Sequence, residues 1–187
     1  MPGGGRNIYV LQGNLVALRA RLDSDTPILH AGLQDDVATR SRADGRAWRP
    51  LSPNQSPFAA DNPADDAAVF SIVEKSTGDL AGEALLWGID NHNRLGHLGA
   101  SLLPAYRGRK FGSDVVQVLC LYGFTVRGLH RLQLETLGDN AAMRRAAERA
   151  GFRHEGTLRK AAWVLGEYVD EVVYGLIVNE WKRLIPE

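Results

Sequence analysis

The segment that decides the fold reads LPAYRGRKFGS and runs from Leu103 to Ser113. Before it, apolar and polar residues alternate as in a strand, and Pro104 ends that alternation. After it, apolar residues recur at helical spacing as far as Val126. The first turn of a helix leaves backbone N–H groups without partners and carries a partial positive charge. The position of the segment, between a strand and a helix, therefore predicts a loop that binds a phosphate group.

Glycines and basic side chains fill this loop. Gly108 and Gly112 let the chain curl, and positive charge comes from Arg107, Arg109 and Lys110. Neither the G-x-G-x-x-G pattern of dinucleotide-binding folds nor the G-x-x-x-x-G-K-[ST] pattern of P-loops is present. The loop predicts a different phosphate ligand, and the alternative is a basic turn in an unrelated α/β domain.

The composition is that of an ordinary globular protein. The chain has 187 residues, of which 44% are hydrophobic and 24% charged, and we predict a single domain over residues 1–187. Lys and Arg (22) balance Asp and Glu (22), so no charge excess predicts binding to nucleic acid or to a membrane surface. No cluster of Cys and His has the spacing of a metal site, and no apolar stretch approaches the roughly 20 residues of a spanning helix. We expect a cytoplasmic protein without a metal.

The first half of the chain predicts mainly antiparallel strands. Residues 1–13 are expected to be flexible, Asn14 to Arg21 alternates as a strand, and a short helix follows. The polar, Pro-rich segment 35–67 is compatible with either a variable loop or a broken helix. Short turns then separate three strands, which predicts a meander: Val69 to Glu74, Leu80 to Ile89, and Leu95 to Leu103.

The second half alternates helices with strands. The predicted helices are Ser113 to Val126, a helix that Asn140 caps and Gly151 ends, and a short one around Glu180 to Leu184. The predicted strands are Leu132 to Thr136, Glu155 to Val164, and Glu171 to Ile177. The whole pattern indicates a mixed α/β fold.

The loop resembles the pyrophosphate-binding motif of GNAT acetyltransferases, Gln/Arg-x-x-Gly-x-Gly/Ala. Arg107 takes its first place and Gly112 its last, while Lys110 stands where the middle glycine is expected. Further matches in the same order resemble the subgroup that acetylates ribosomal-protein N-termini, over about Asn14 to Leu184. They are Gly82-Glu83, Ile89-Asp90, Asn93, Gly99, Asp139-Asn140, Gly151-Phe152, Glu155-Gly156, Tyr168, Asp170, Tyr174 and Trp181.

The resemblance implies a mostly antiparallel, twisted sheet of about seven strands flanked by helices. Its central pair, Leu95 to Leu103 and Leu132 to Thr136, would splay apart and take the pantetheine arm of acetyl-CoA. Backbone groups of Leu102 and Leu103 would bind the arm from one side and Asn140 from the other. The pyrophosphate would bind the loop residues, which are Arg107, Gly108, Arg109, Lys110, Phe111, Gly112 and Ser113.

The activity that the resemblance implies is acetyl transfer from acetyl-CoA to a primary amine, either a protein N-terminus or a small molecule. Glu83 is one candidate base, because the surrounding apolar run would remove its carboxylate from water; an ion pair with an arginine is the alternative. His97 is the other, since an imidazole exchanges protons near neutral pH and alternation puts it on the side of Ser101. Met143 replaces a serine that donates a proton in some relatives, which leaves Tyr168, Tyr174 or water as the acid.

Several alternatives stay open. Segment 35–67 would border the acceptor cleft, and its Arg40, Arg42, Arg46 and Arg49 suit either an acidic acceptor or a solvated loop. Lys110 and Met143 also fit a domain that binds acyl-CoA without turnover, or a transferase that uses another acyl-CoA. A homodimer is compatible with the resemblance but is not required by these residues.

Overall fold

The computed structural model describes residues 11–43, 45–59 and 64–182. Eight strands, β1 to β8, span Leu11–Gln12, Val16–Ala20, Ala68–Glu74, Leu80–Asp90, Leu95–Leu102, Arg131–Leu137, Arg153–Val164 and Glu167–Ile177. They form one sheet in the order β1-β2-β3-β4-β5-β6-β8-β7. All of these neighbours are antiparallel except β5 and β6. The predicted mixed α/β fold with a mostly antiparallel sheet is confirmed.

Four α-helices connect the strands, and two of them continue into a π-helical turn. They are α1 at Asp25–Leu29, α2 at Val37–Ala43, α3 at Phe111–Leu121 and α4 at Ala141–Ala150. The π turns are His30–Gln34 after α1 and Tyr122–Val126 after α3. Segment 35–67 thus contains α2 and a 3-10 turn at Pro53–Gln55 rather than a continuous loop.

Helices α3 and α4 cover one face of the sheet and build the main core with it. Its centre is fully shielded from solvent and includes Val16, Ile72, Leu86, Val115, Leu119, Leu132 and Leu176. A second, smaller cluster joins α1 and its π turn to the end of β5, through Leu29, Leu33, Phe58 and Leu103. Because side chains alternate along a strand, every strand contributes to both faces, and the face away from α3 carries its polar residues.

The parallel pair β5 and β6 stays together for only three residues. Leu95, Gly96 and His97 of β5 lie opposite Arg131, Leu132 and Gln133 of β6. Beyond them β5 pairs only with β4, as far as Leu102, and β6 pairs only with β8, as far as Leu137. The two strands therefore diverge into a V-shaped opening, which confirms the predicted splayed central pair.

A buried carboxylate fastens the start of α3 to the start of β2. The Asp114 carboxylate accepts three backbone N–H donors, at 3.0, 2.7 and 2.9 Å, from Asn14, Leu15 and Val16. Hydrogen bonds to a charged acceptor are stronger than neutral ones, and buried N–H groups left without partners are costly. Asp114 thus holds the helix that begins at the Gly-rich loop.

The ends of the chain differ from the sequence prediction. Residues 1–10 lie outside the described ranges, but Leu11–Gln12 forms a strand against β2 instead of a flexible segment, because its backbone pairs with Ala17 and Leu18. This strand raises the number from about seven to eight. A helix was predicted around Glu180 to Leu184; the structure has a 3-10 turn at Val178–Glu180 and no regular structure at residues 181 and 182, and the rest of that prediction lies outside the described residues.

Among the helices of the described residues, none combines the length and apolar character needed to cross a membrane. Nor does the described part of the chain bring three or more His, Cys, Asp or Glu residues into a group suited to a metal ion.

Asp114→Asn is expected to lower the free energy of unfolding by about 3 kcal/mol, because an amide NH₂ would face backbone donors that now meet an oxygen. Urea titration followed by circular dichroism measures the change. Asp23→Asn, at an exposed carboxylate, is the matched control and should change the free energy by less than about 0.5 kcal/mol. Equal stabilities of the two variants would contradict the anchoring role of Asp114.

Candidate functional site

The Gly-rich loop turns sharply at a left-handed residue. Lys110, directly before α3, has φ of 66° and ψ of 4°, and Gly108 has φ of 75°. A residue with a Cβ is strained in this region by about 1–2 kcal/mol, whereas glycine is not. The glycine expected from the resemblance at position 110 is thus explained by the backbone, and Lys110 adopts the same conformation at a cost.

The first turn of α3 presents backbone donors to open space. Phe111, Gly112 and Ser113 begin the helix, so their N–H groups have no acceptor within it. A Cβ added at Gly112 would meet no atom within 4 Å. The surface beside Gly112 is therefore open, and it lies at the positive end of the helix dipole, where an anion is favoured.

The two arginines of the loop reach protein groups. The Arg107 guanidinium donates to the Leu102 carbonyl at 3.0 Å and to Thr39 Oγ1 of α2 at 3.2 Å. Arg109 pairs with Glu74 at 2.5 Å, and its guanidinium lies 4.7 Å from the centre of the Phe111 ring. Both side chains therefore shape the loop, and the exposed Lys110 adds charge at its turn.

The V-shaped opening leads from this loop to the middle of the sheet. Leu103 N–H donates to the Ala81 carbonyl of β4 at 2.9 Å, so this group faces away from the opening. Backbone groups alternate in direction along a strand, and those of Leu102 and Ala100 therefore point toward β6. Of the two leucines singled out in the sequence, only Leu102 has its backbone turned to the opening.

Asn140 lies on the other lip of the opening, at the start of α4. Its side-chain oxygen accepts the Met143 N–H at 3.2 Å, and its side-chain nitrogen donates to Thr136 Oγ1 at 3.0 Å. These bonds make Asn140 the cap of α4 and hold its amide next to the end of β6. One N–H and one lone pair of the amide remain for a further partner.

Glu83 forms an ion pair with a buried arginine. The Arg21 guanidinium donates to Glu83 at 3.1 Å and also to the Ser71 hydroxyl and the Phe58 carbonyl. Only 4% of the Arg21 side chain and 13% of the Glu83 side chain are exposed. Glu83 lies opposite Ser101 of β5, on the face away from α3, so it borders the opening while its charge is balanced.

His97 lies at the apex of the V, on the same face. Its Nδ1 is 2.9 Å from a carboxylate oxygen of Glu135 on β6, and its ring stacks on Trp87 with centroids 4.4 Å apart. Gln133 donates to the same carboxylate at 2.5 Å. With Nδ1–H donating to Glu135, His97 carries a free lone pair on Nε2, the arrangement of a general base.

Two glutamates were missed in the sequence reasoning. Glu135 lies on β6 and Glu171 on the neighbouring β8, and both are half-buried on the face of the sheet away from α3. Burial, and then the negative charge of Glu135, raise the pKa of Glu171 above its usual value. The sequence signal that could have found Glu135 was the alternation of Gln133 and Glu135 with the apolar Leu132 and Leu134.

The other candidates lie away from this face. The Tyr174 hydroxyl donates to Glu148 of α4, so it belongs to the helix side of the sheet. Tyr168 is exposed and packs on Trp163 near the β7–β8 turn. Cys120 is fully buried in α3, and burial raises the pKa of its thiol far above the usual range, so it is not a nucleophile.

Comparison with known proteins shows that the chain is similar to a family of acetyltransferases. The profile described as "Acetyltransferase (GNAT) domain" matches residues 16–153. The chain is 25% identical to the uncharacterized N-acetyltransferase YoaA of Bacillus subtilis over 90% of this chain and 96% of YoaA. It is 30% identical to the putative ribosomal N-acetyltransferase YdaF of the same species, over 56% and 57% of the two chains.

The fold is also similar to solved structures. One is the spermidine N-acetyltransferase of Vibrio cholerae in complex with CoA and spermine, with a TM-score of 0.77. The match covers 89% of this chain and 97% of that one at 19% identity, which shows a shared fold.

Replacing Lys110 with Gly should raise the free energy of unfolding by about 0.5–1 kcal/mol, because glycine adopts the left-handed conformation without strain. Thermal and urea unfolding of the ligand-free protein measure it. Lys110→Ala removes the same charge but keeps the Cβ, so it should give no gain. If both variants are equally stabilised, charge rather than backbone strain is responsible.

Proposed function

Because this chain belongs to the GNAT acetyltransferase family, we propose that it transfers an acetyl group from acetyl-CoA to a primary amine. The observation that carries the proposal is the opening between β5 and β6, which joins the free N–H groups of α3 to the polar face around His97. Such an opening provides a continuous binding site for a long, narrow donor that carries phosphates at one end. Acetyl-CoA has this shape, and it supplies the acetyl group as a reactive thioester.

The donor's pyrophosphate would bind at the start of α3. The N–H groups of Phe111, Gly112 and Ser113 would donate to its oxygens, and the missing side chain at Gly112 permits the close approach. The backbone of Leu102, which is turned to the opening, would bind the pantetheine arm from β5, and the Asn140 amide would bind it from the other lip. Arg107 supports this arrangement because it bonds the Leu102 carbonyl and the α2 helix together.

The acceptor would approach from the face that carries His97 and Glu83. A protonated amine has no lone pair, so it must lose a proton before its nitrogen forms the new C–N bond and the C–S bond breaks. The nitrogen loses a second proton as the amide forms, and the departing thiolate takes up one. Holding the two reactants together contributes most of the acceleration, and a base adds roughly 10²- to 10⁴-fold.

His97 is the base that the geometry favours over Glu83. The Glu135 carboxylate orients its ring and stabilises the imidazolium that forms on proton uptake. Glu83 is held by the buried Arg21, and protonating it would leave that guanidinium without its counter-ion. We therefore assign Glu83 to positioning, and water to protonation of the thiolate, since Met143 has no proton to give.

A thiol-release assay tests the proposal. Acetyl-CoA is offered with a panel of small amines and N-terminal peptides, and a thiol reagent follows free CoA. The chain's only cysteine, Cys120, is buried, so the native protein adds no background. Release that depends on the acceptor is expected. Binding of acetyl-CoA without release from any acceptor would indicate a sensor instead, and release only from another acyl-CoA would change the donor.

His97→Gln is predicted to lower kcat about 100-fold while leaving the affinity for CoA unchanged, because only the proton acceptor is lost. Steady-state kinetics and calorimetry with CoA separate the two quantities. His92→Gln, at an exposed histidine in the turn before β5, should retain full activity.

Glu83→Gln should act mainly on stability, lowering the free energy of unfolding by about 3 kcal/mol, because the buried Arg21 loses its counter-charge. Its kcat, measured below the unfolding transition, should fall less than that of His97→Gln. A fully folded Glu83→Gln variant with the larger loss of kcat would assign the base to Glu83 instead.

A further inference from the structure

We propose that helix α2 is a strap across the V-shaped opening, which lifts to let CoA or acetyl-CoA enter and leave. The ion pair between Arg42 of α2 and Asp139 is the latch of this strap. This role rests on the donor site proposed above and adds a conformational step to it. The strap sets how fast the donor exchanges, not which groups the donor contacts.

Helix α2 is bonded to both lips of the opening at its wide end. On the β5 lip, the Arg107 guanidinium donates to Thr39 Oγ1 of α2 at 3.2 Å and to the Leu102 carbonyl at 3.0 Å. On the β6 lip, the Arg42 guanidinium donates to the Asp139 carboxylate at 2.6 Å. Thr39 and Arg42 are three positions apart and therefore lie on one face of α2. A single helix thus spans the gap between two strands that no longer pair with each other.

Both anchors lie beside the groups that we assign to the donor. Leu102, whose carbonyl binds Arg107, turns its backbone to the opening, and Asp139 directly precedes Asn140. A pantetheine arm bound between Leu102 and Asn140 would therefore pass beneath α2. Lifting α2 exposes the whole length of this site at once, whereas an arm that enters beneath a closed bridge must be ordered before most of its contacts form.

The contacts that hold α2 in place are weak. None of its seven residues is buried, and Val37, its only large aliphatic residue, is 41% exposed. The latch itself is exposed, by 43% at Arg42 and 55% at Asp139, so water screens both charges. Arg40 adds a contact of its guanidinium with the Phe58 ring, 5.6 Å from the ring centre. A short helix held in this way opens far more often than the core of the sheet.

Helix α2 keeps its own structure when the latch opens, because its first turn is capped from within. The Asp36 carboxylate accepts the N–H of Ala38 at 3.1 Å and the N–H of Thr39 at 3.2 Å. It also accepts the hydroxyl of Thr39 at 2.8 Å. These bonds do not involve the lips of the opening, so α2 moves as one segment about its ends.

A strap that gates the opening affects entry and release alike. If CoA passes only when α2 is lifted, both rate constants are proportional to the fraction of molecules in the lifted form. The dissociation constant is the ratio of the two rate constants, so it does not depend on that fraction. Weakening the latch should therefore raise both rate constants, whereas losing a contact to the bound donor would raise the release rate alone.

The test measures association and dissociation of CoA by surface plasmon resonance in the wild type, Arg42→Gln and Asp139→Asn. Each variant should raise both rate constants about 3-fold, the worth of one exposed ion pair, and change Kd by less than about 1.5-fold. The two substitutions change the charge of the protein in opposite directions, so attraction of the anionic CoA does not explain a gain in both. Arg149→Gln and Asp23→Asn, at exposed side chains elsewhere, are the matched controls and should keep the wild-type release rate.

The strap has a second readout that needs no ligand. In hydrogen exchange of the ligand-free protein, the amides of α2 should exchange about 3-fold faster in Arg42→Gln than in the wild type. The amides of α3 should not change. Arg42→Lys, which retains a cation for Asp139, should stay close to the wild type in both experiments.

Unchanged rate constants in both latch variants, or a rise in the release rate alone, would overturn the strap while the donor site stands. Equal exchange of the α2 amides in Arg42→Gln and the wild type would contradict the latch as well. If the wild type binds no CoA at all, the proposed donor site fails and the strap fails with it.

Discussion

The short contact between β5 and β6 is the constraint on which the rest of the structure depends. Three paired residues on each strand hold the two halves of the sheet together, and beyond them each strand pairs only with its outer neighbour. The inward backbone groups past His97 therefore have no partner in the sheet. A ligand with its own amide groups can satisfy them, and the loop at the end of β5 extends that site to an anion.

The two faces of the sheet differ in character: one is covered by helices, and the other carries the groups to which we assign the chemistry. Helices α3 and α4 bury the apolar face, and Asp114 fixes the start of α3 to β2, so the free N–H groups of the loop are held on a rigid support. The opposite face carries the polar groups, with Glu83 paired to Arg21, His97 in contact with the Glu135 carboxylate, and Glu171 left without a counter-ion among the described residues. A site on rigid strands keeps its groups in place before the substrates arrive.

Local sequence patterns were enough to predict the fold and the Gly-rich loop, but not which charged residues pair with each other. Alternation in β3, β4 and β5 and the helical spacing after Ser113 involve near neighbours, so the sequence predicted them. The partner of Glu83 is Arg21, 62 positions away, and only the assembled sheet brings them together. Likewise Leu103 was expected to face the donor, but its N–H bonds to β4 because its direction depends on the register. Glu171 was missed because its isolation emerges only when its neighbours are known.

A crystal structure of the chain with acetyl-CoA tests the central claim most directly. The pantetheine arm should lie between β5 and β6, with its amides bonded to the inward backbone around Leu102, and the pyrophosphate should bind at Phe111–Ser113. The thioester should then reach the face near His97. Acetyl-CoA bound outside the opening, or an opening closed by continued pairing of β5 with β6 in the complex, would contradict the claim.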